Sequence, residues 1–349
     1  MKILAFETSC DDTCVAVVED GTRVLANIRQ SQPEHNEYKG VVPELAARLH
    51  AEHWRGVLEQ ALEEANLTIE DIDALAVTKG PGLQTSLLTG TTAASFLSLL
   101  YQKPLIPVHH IHGHLCSVFL ERERDDIQYP SLALTVSGGH TSFYRCESPT
   151  QVTQIGQTLD DAAGEAFDKT AKMLGLDYPG GPIVSKLAEE GDDQAYKLPL
   201  IVMAKASLDF SFSGLKAAVY RIVNDENFKK TPLEIKNLCA SFQSITAKTF
   251  AKKLQRALDH YPDTKQVHFV GGVSANTRIR EALESTVGAD HRSARAEQCS
   301  APTTILTPKS MAYCTDNAAM IASAAYFNYQ DDASCAKTQF VDAEARLKI

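Results

Sequence analysis

Long apolar runs are absent from this sequence of 349 residues. A transmembrane helix needs roughly 20 consecutive apolar residues, so a membrane role is disfavoured. The first residues, Met1 to Glu7, lack the apolar core of a secretory signal and the arginine and serine bias of a transit peptide. We therefore expect a cytoplasmic protein.

Cysteine pairs of the Cys-x-x-Cys type are also missing, although the chain has eight cysteines. Their scatter argues against a cysteine zinc site or thiol redox chemistry and favours a reducing compartment. An excess of positive charge is lacking as well, because the net charge is −10. Such a chain repels phosphate backbones overall, so strong binding of nucleic acid without a partner is not expected.

Length and composition indicate a compact protein of two domains. Hydrophobic residues make up 44% and charged residues 22% of the 349 positions. These values are typical of globular chains, and a domain usually holds roughly 100–200 residues. We therefore expect two lobes with a cleft between them.

Two similar hairpins suggest that the chain is internally duplicated. Apolar strands at Ile3–Phe6 and Val15–Val18 flank a polar turn, and strands at Leu132–Val136 and Ser142–Arg145 flank a second turn rich in serine and glycine. We predict domains at residues 1–129 and 130–315, with a last segment at 316–349 that returns to the first domain.

Between and after the hairpins, strand patterns alternate with helical patterns. Helices are predicted at Glu44–Asn66, Leu83–Tyr101 and Asp160–Leu174, and buried strands at Ala74–Thr78 and Val267–Val270. This alternation is typical of α/β domains. The predicted architecture is similar to the duplicated, actin-like ATPase fold of the actin, sugar-kinase and chaperone superfamily, a ribonuclease H-like fold with an interdomain cleft.

A histidine cluster follows the apolar segment Leu105–Val108. On a helix, His110 and His114 lie one turn apart on the same side, at a spacing that suits two ligands of one metal ion. The alternative is a polar helix start with histidines bonded internally. A zinc peptidase of the His-Glu-x-x-His type is disfavoured, because Ile111 stands where its glutamate base is required.

Two acidic residues are candidates for the same chemistry. Asp316 precedes an alanine-rich helix, for which Thr315 is the predicted cap, and Asp316 is a candidate third metal ligand. It is equally suited to the helix dipole alone. Asp11 lies with Asp12 in the first hairpin turn, where aspartate is common for conformational reasons, and it is a candidate acid near transferred charge.

Glycine-rich segments supply candidate phosphate and nucleoside sites. Ser137, Gly138 and Gly139 form the second hairpin turn, where glycines permit close backbone approach and hydroxyls can bond an oxygen. A tight hairpin alone would also explain these glycines. Residues 270–276 follow a strand and precede a helix, which suits an adenosine site at a helix N-terminus.

Nine motifs in this order closely resemble the bacterial TsaD family, the transferase subunit of tRNA threonylcarbamoyladenosine synthesis. They extend from residue 7 to residue 317, so the resemblance covers nearly the whole chain. The motifs are Glu7-Thr-Ser-Cys-Asp11, Val41-Val-Pro-Glu-Leu45, Gly80-Pro-Gly-Leu83, His110-x-x-x-His114, Ser137-Gly-Gly-His-Thr141, Phe167-Asp-Lys169, Phe212-Ser-Gly-Leu-Lys216, Gly271-Gly-Val-Ser-Ala-Asn276 and Cys314-Thr-Asp-Asn317.

The resemblance implies transfer of a threonylcarbamoyl group from threonylcarbamoyl-AMP to the adenosine beside the anticodon of certain tRNAs, with AMP as leaving group. His110, His114 and Asp316 would hold a divalent metal, iron(II) by family expectation with zinc as a rival. Asp11 matches the catalytically important acid. The implied donor-binding residues are Thr135, Val136, Ser137, Gly138, Gly139, Asp168, Gly181 and Asn276.

The resemblance also implies partners, namely a smaller paralogous subunit like TsaB and an ATPase like TsaE. Three other classes stay open. An ATP-dependent phosphotransferase or ATPase of the same fold explains the hairpins but not the histidines with Asp316. A metallopeptidase explains the histidines but lacks the glutamate base. A non-catalytic scaffold would be expected to have lost the metal residues.

The sequence departs from the family pattern at a few positions. Asp12 stands where glutamate is common, and Lys39 stands where glycine is common. Residues 289–304 match no motif and receive no role.

Overall fold

The structure, a computed structural model, describes residues 1–38, 40–201, 207–290 and 303–349. Lys39 and residues 291–302 therefore lie outside the described residues, and the questions that the sequence raised about them stay open. None of the helices in the described ranges combines the length and apolar character that a membrane span requires. The cytoplasmic location stays a prediction.

The chain divides into two compact units. The first comprises Met1–Ile127, Glu147–Val152 and Pro308–Ile349, and the second comprises Gln128–Cys146 and Thr153–Thr307. The C-terminal segment thus contributes to the unit that the N-terminus begins. The domain boundaries predicted after residues 129 and 315 stay predictions.

The first unit is built on a five-stranded sheet in the order β3-β2-β1-β4-β5. Strands β1 and β2 are antiparallel, as are β2 and β3, whereas β1, β4 and β5 run parallel. The elements of this unit are β1 (Lys2–Glu7), β2 (Asp12–Glu19), β3 (Arg23–Ser31), α1 (Pro43–Ala65), β4 (Ala74–Gly80), α2 (Gln84–Tyr101), β5 (Leu105–His109), α3 (His110–Cys116) and, near the end of the chain, α9 (Ala318–Asp331).

The second unit repeats this arrangement, with a sheet in the order β10-β9-β6-β7-β8. Its first two strands form an antiparallel hairpin and β9 and β10 continue in parallel, as in the first unit. The predicted duplication is confirmed. The elements are β6 (Ser131–Val136), β7 (Thr141–Cys146), β8 (Val152–Gln157), α4 (Ala163–Leu174), α5 (Gly180–Ala188), α6 (Ser213–Val223), α7 (Pro232–His260), β9 (Gln266–Val270), α8 (Thr277–Asp290) and β10 (Thr304–Leu306).

The central strands form because their apolar runs can be buried on both faces. In β1, every residue from Ile3 to Glu7 is buried, and every residue of β6 and β9 is buried too. Continuous apolar runs of this kind are typical of strands that are covered on both sides. Each unit accordingly has its own hydrophobic core around its sheet.

Three local predictions are corrected by the structure. Asp12 opens β2 and does not belong to the turn, because it pairs with Ser31 across the hairpin. Helix α4 begins at Ala163, whereas Asp160 lies before it and accepts backbone hydrogen bonds from Phe212 and Ser213. The predicted cap Thr315 lies too far upstream of α9, which begins at Ala318.

Candidate functional site

Helix α3 holds the two histidines of the predicted metal motif. His109 ends β5 and its ring accepts a hydrogen bond from the backbone N–H of Ile111, which caps the helix as it begins. All seven residues of the helix are buried. The ring centroids of His110 and His114 lie 4.8 Å apart and nearly perpendicular. The one-turn spacing therefore places both rings on the same side, as predicted.

Asp316 joins these histidines from the segment before α9. Asn317 caps that helix, since its side chain accepts the backbone N–H of Met320 at 3.0 Å. Oδ1 of Asp316 lies 3.1 Å from Nε2 of His114 and 3.6 Å from Nε2 of His110. Candidate ligand atoms of these three residues all lie within 4.8 Å of one another.

The buried atoms of His114 fit a metal ion. Within the part of the chain that the structure describes, Nδ1 of His114 has no hydrogen-bond partner, and the contact of Nε2 with Oδ1 of Asp316 at 3.1 Å lacks hydrogen-bond geometry, although the residue is fully buried. A buried polar atom without a partner costs roughly 1–3 kcal/mol, so a missing ligand is a natural explanation. Two imidazoles and one carboxylate suit iron or zinc. His110, His114 and Asp316 could thus hold one metal ion.

Glu7 is a site residue to which the sequence analysis assigned no role. Its Oε2 lies 2.9 Å from Nδ1 of His110. Burial alone would lower the pKa of His110, but the negative charges of Glu7 and Asp316 outweigh it and raise that pKa to about 9. Burial would raise the pKa of Glu7, but the charge and hydrogen bond of His110 hold it below its usual value. Glu7 and His110 therefore each favour the charged form of the other.

The position of Glu7 in the sequence does indicate a buried carboxylate that needs a partner. An acidic residue ends the apolar run of β1, and its side chain is only 1% exposed. A carboxylate is rarely buried so deeply without a partner. That the partner is His110 depends on the parallel pairing of β1 with β4 and of β4 with β5, which no local pattern reveals.

Asp11 lies half-buried in the turn between β1 and β2. Cys10, which precedes Asp11 in this turn, has its carbonyl oxygen 3.0 Å from Nε2 of His50 on α1. This contact connects the turn to α1. Next to it, Asp12 lies 3.2 Å from Nε of Arg29, and burial raises the pKa of Asp12 to about 6. The role of Asp11 stays a prediction.

The predicted donor-binding residues all belong to the second unit. Thr135 and Val136 are fully buried in β6, whereas Ser137, Gly138 and Gly139 form the turn that follows. A Cβ atom added at Gly138 or Gly139 would meet no described atom within 4 Å. The space over the turn is therefore open, and packing of this unit does not require glycine at either position.

Asp168 and Gly181 are held together at the start of α5. Oδ1 of Asp168 accepts the backbone N–H of Gly180 at 2.8 Å and that of Gly181 at 3.2 Å. Asp168 thus binds the first amides of the helix, where it also complements the helix dipole.

Asn276 is tied to the same helix α5 and to α7. Its amide nitrogen donates to Oγ of Ser185 at 2.6 Å and to Oε1 of Gln243 at 2.7 Å, while its oxygen accepts the N–H of Ile279. Asn276, Ser185 and Gln243 line a cavity of about 690 Å³ between α5, α7 and the start of α8. Cavities of this size accommodate nucleotides and other small ligands. Its wall also includes Asp193 and Arg278.

Known proteins match this chain along most of its sequence. A family model described as "TsaD: tRNA N6-adenosine threonylcarbamoyltransferase" matches residues 23–323. A tRNA N6-adenosine threonylcarbamoyltransferase of Bacillus subtilis (strain 168) is 45% identical over 325 residues, covering 93% of this chain and 89% of the relative. The enzyme of the same description from Staphylococcus aureus (strain Newman) is 43% identical over 329 residues, covering 94% and 92%.

Solved structures support the fold alone. Full-length HypF in its phosphate- and nucleotide-bound form aligns with a TM-score of 0.58 at 12% identity, covering 96% of this chain and 47% of HypF. The ROK hexokinase from Thermus thermophilus aligns with a TM-score of 0.51 at 15% identity, covering 93% and 97%. The predicted actin-like ATPase fold is confirmed. With its family model matched over most of its length, the chain belongs to the TsaD family of tRNA N6-adenosine threonylcarbamoyltransferases.

Proposed function

We propose that this chain transfers the threonylcarbamoyl group from threonylcarbamoyl-AMP to the N6 amine of the adenosine next to the anticodon, in tRNAs that read codons beginning with A, and that it does so in the cytoplasm. The new bond joins N6 to the carbamoyl carbon, the bond from that carbon to the phosphate oxygen breaks, AMP leaves, and N6 loses a proton. The observation that carries this proposal is the group of His110, His114 and Asp316, whose candidate ligand atoms lie within 4.8 Å of one another, in a chain of this family.

The candidate metal ligands lie in the first unit, which would stabilise negative charge on the donor during transfer. When bound, the metal ion, which we propose is iron(II) with zinc as the rival, supplies positive charge that stabilises negative charge on the donor's phosphate or carbonyl oxygen. His110, His114 and Asp316 would hold it. Asp11 would orient the attacking amine or accept its proton, because a carboxylate in a half-buried turn can act as a general base.

The second unit would bind the donor. The turn of Ser137, Gly138 and Gly139 has open space over its two glycines, which would let a phosphate approach their backbone. The N–H of Ser137 is itself engaged, because it donates to the carbonyl oxygen of His140. The cavity beside Asn276 has the size and polar lining that suit the nucleoside. Asp168 would act by holding Gly181 in place at the start of α5.

We propose a TsaB-like paralogous subunit and a TsaE-like ATPase as partners. Support comes from α2, where four large apolar side chains are about half exposed on one face. These are Leu88, Phe96, Leu99 and Leu100, with exposures of 47%, 55%, 49% and 56%. An exposed apolar stripe of this kind is typical of a protein interface, and we assign it to the paralogous subunit. The net charge of −10 is a further reason to expect help with tRNA binding.

The direct test is mass analysis of tRNA nucleosides from cells depleted of this protein, followed by complementation. We expect threonylcarbamoyladenosine to disappear on depletion, to return with the wild-type chain and to stay absent with His110→Ala. Normal modification in depleted cells would refute the proposed transfer. Normal modification with His110→Ala would refute the metal assignment alone.

A further inference from the structure

The carboxylate of Glu7 is the most deeply buried acidic group at the candidate metal site. Glu7 is 1% exposed, and its Oε2 lies 2.9 Å from a ring nitrogen, Nδ1 of His110. An ionised carboxylate accepts hydrogen bonds and cannot donate them. Nδ1 of His110 must therefore carry a hydrogen and donate it to Glu7.

This hydrogen bond decides which nitrogen of His110 is free for a metal ion. A neutral imidazole carries one hydrogen, so a ring protonated at Nδ1 presents a lone pair at Nε2. Nε2 is the atom that faces Asp316, with its Oδ1 at 3.6 Å. The tautomer that Glu7 selects is thus the one in which the lone pair points toward the other candidate ligands.

Glu7 is itself fixed by donors that leave it no other orientation. The backbone N–H of Ser9 donates to Oε1, and the hydroxyl of Thr78 donates to Oε2, both at 2.5 Å. Both carboxylate oxygens are therefore engaged as acceptors. Because the donors come from the turn after β1 and from β4, the sheet of the first unit determines the orientation of the carboxylate.

We infer that Glu7 is a positioning residue, which fixes the tautomer and the ring orientation of His110 so that Nε2 can bind the metal ion. A carboxylate behind a metal-bound histidine commonly has this effect, and its loss typically lowers metal affinity about 10- to 100-fold. The inference rests on the metal site of the proposed function, and it adds a residue that acts through His110 without binding the metal.

The decisive variant is Glu7→Gln, because an amide cannot accept at both of its ends. If its oxygen faces His110, its NH2 group meets the N–H of Ser9; if it is flipped, the NH2 group meets Nδ1 of His110 and favours the hydrogen on Nε2. Either arrangement disturbs the site at almost unchanged volume. In competition titrations of the full-length chain with Zn²⁺ and a chromophoric chelator, we expect about 10- to 100-fold weaker binding than for the wild type.

Two further variants separate orientation of the ring from general disturbance of the site. Thr78→Val removes one hydrogen bond to the same carboxylate oxygen but leaves its charge and the histidine contact, so we expect Zn²⁺ affinity within about threefold of the wild type. Ser9→Ala removes the hydroxyl that lies 3.2 Å from Nδ1 of His110. If Ser9→Ala weakens Zn²⁺ binding as much as Glu7→Gln, the hydroxyl orients the ring and the inference is wrong.

A measurement on the wild-type chain tests the inference even if Glu7→Gln fails to fold. In the Zn²⁺-loaded protein labelled with ¹⁵N-histidine, with His110→Ala for assignment, we expect Nδ1 of His110 to carry a hydrogen and Nε2 to bind the metal. Metal bound through Nδ1, or wild-type affinity in folded Glu7→Gln, would overturn the inference and leave the proposed function intact. Failure of the wild-type chain to bind either Zn²⁺ or Fe²⁺ would instead overturn the metal site itself.

Discussion

Nε2 of His114 lies 3.1 Å from Oδ1 of Asp316, although the whole second unit separates the two residues in sequence. The contact joins α3 to the segment that leads into α9, and these two helices pack against each other. Because His114 is fully buried and Asp316 is partly exposed, the site is open on the side of the carboxylate. Of the three candidate ligands, Asp316 is therefore the most accessible to solvent.

Replacement of either residue is expected to remove the metal. His114→Ala and Asp316→Ala each delete one of three ligands, and we expect metal content to fall from about one ion per chain to less than ~0.1 after dialysis. His112→Gln is the matched control on the same helix, because the His112 ring bonds the carbonyl of Pro149 and lies outside the group of three. Elemental analysis measures the outcome. Full metal content in both alanine variants would exclude this site.

Two glycines of the second unit, Gly139 and Gly271, are expected to differ in how much their replacement by alanine lowers stability. At Gly139 an added Cβ meets open space, so Gly139→Ala should change the free energy of unfolding by less than ~0.5 kcal/mol. At Gly271, where φ is +90°, the added Cβ would lie 2.5 Å from the carbonyl oxygen of Val136, so Gly271→Ala should cost at least ~2 kcal/mol.

Although Gly139→Ala should cost little stability, we expect it to impair donor binding. We expect Gly139→Ala, though stable, to weaken AMP binding at least about tenfold, since backbone approach to a phosphate is obstructed. Calorimetric titration with AMP and chemical denaturation measure the two quantities. Unchanged AMP affinity in Gly139→Ala would show that the turn does not contact the phosphate.

The apolar face of α2 is expected to bind the paralogous subunit. Phe96→Glu places a charge in the middle of this face and should weaken the complex at least about 100-fold, without loss of fold, because Phe96 is 55% exposed. Phe340→Glu is the control, since Phe340 is similarly exposed at 54% but does not belong to α2. Light scattering of mixed, purified subunits measures assembly. An intact complex with Phe96→Glu would place the interface elsewhere.

Lys253 gives the protein a pH dependence that is unrelated to the metal. Burial lowers the pKa of Lys253 to about 8 from an ordinary value of 10.5. Between these values the unfolded chain binds more protons than the folded chain, so stability should rise with pH across this window. We expect the free energy of unfolding of the wild type relative to Lys253→Met to increase by about 2–3 kcal/mol from pH 7 to pH 10.

Urea denaturation of both proteins across this pH range gives the relative free energy, in which titrations common to the two cancel. Lys253 donates to the carbonyl of Ser207 at 2.9 Å, and this bond is lost in Lys253→Met at every pH. Only the slope with pH therefore reports the titration. A difference that stays constant from pH 7 to pH 10 would contradict the lowered pKa.

Much of the fold could be predicted from sequence because the hydrophobic pattern is local. The run of β1 and the one-turn spacing of His110 and His114 depend only on neighbours in the chain, and the structure confirms both. The choice of Thr315 as a cap was wrong for a related reason. Several residue types can cap a helix, and which one does so depends on where the helix begins, a boundary that pattern locates only to within a few residues.

Sequence by itself determined the two duplicated α/β units, the paired histidines and, through the ordered motifs, the family. Only the tertiary structure decided that Glu7 lies behind His110 and that Asn276 uses its amide to hold Ser185 and Gln243. The physical reason is that spacing along a helix or strand is set by backbone geometry, which local sequence encodes. Contacts between distant segments instead follow from strand order and packing, to which every residue of a core contributes.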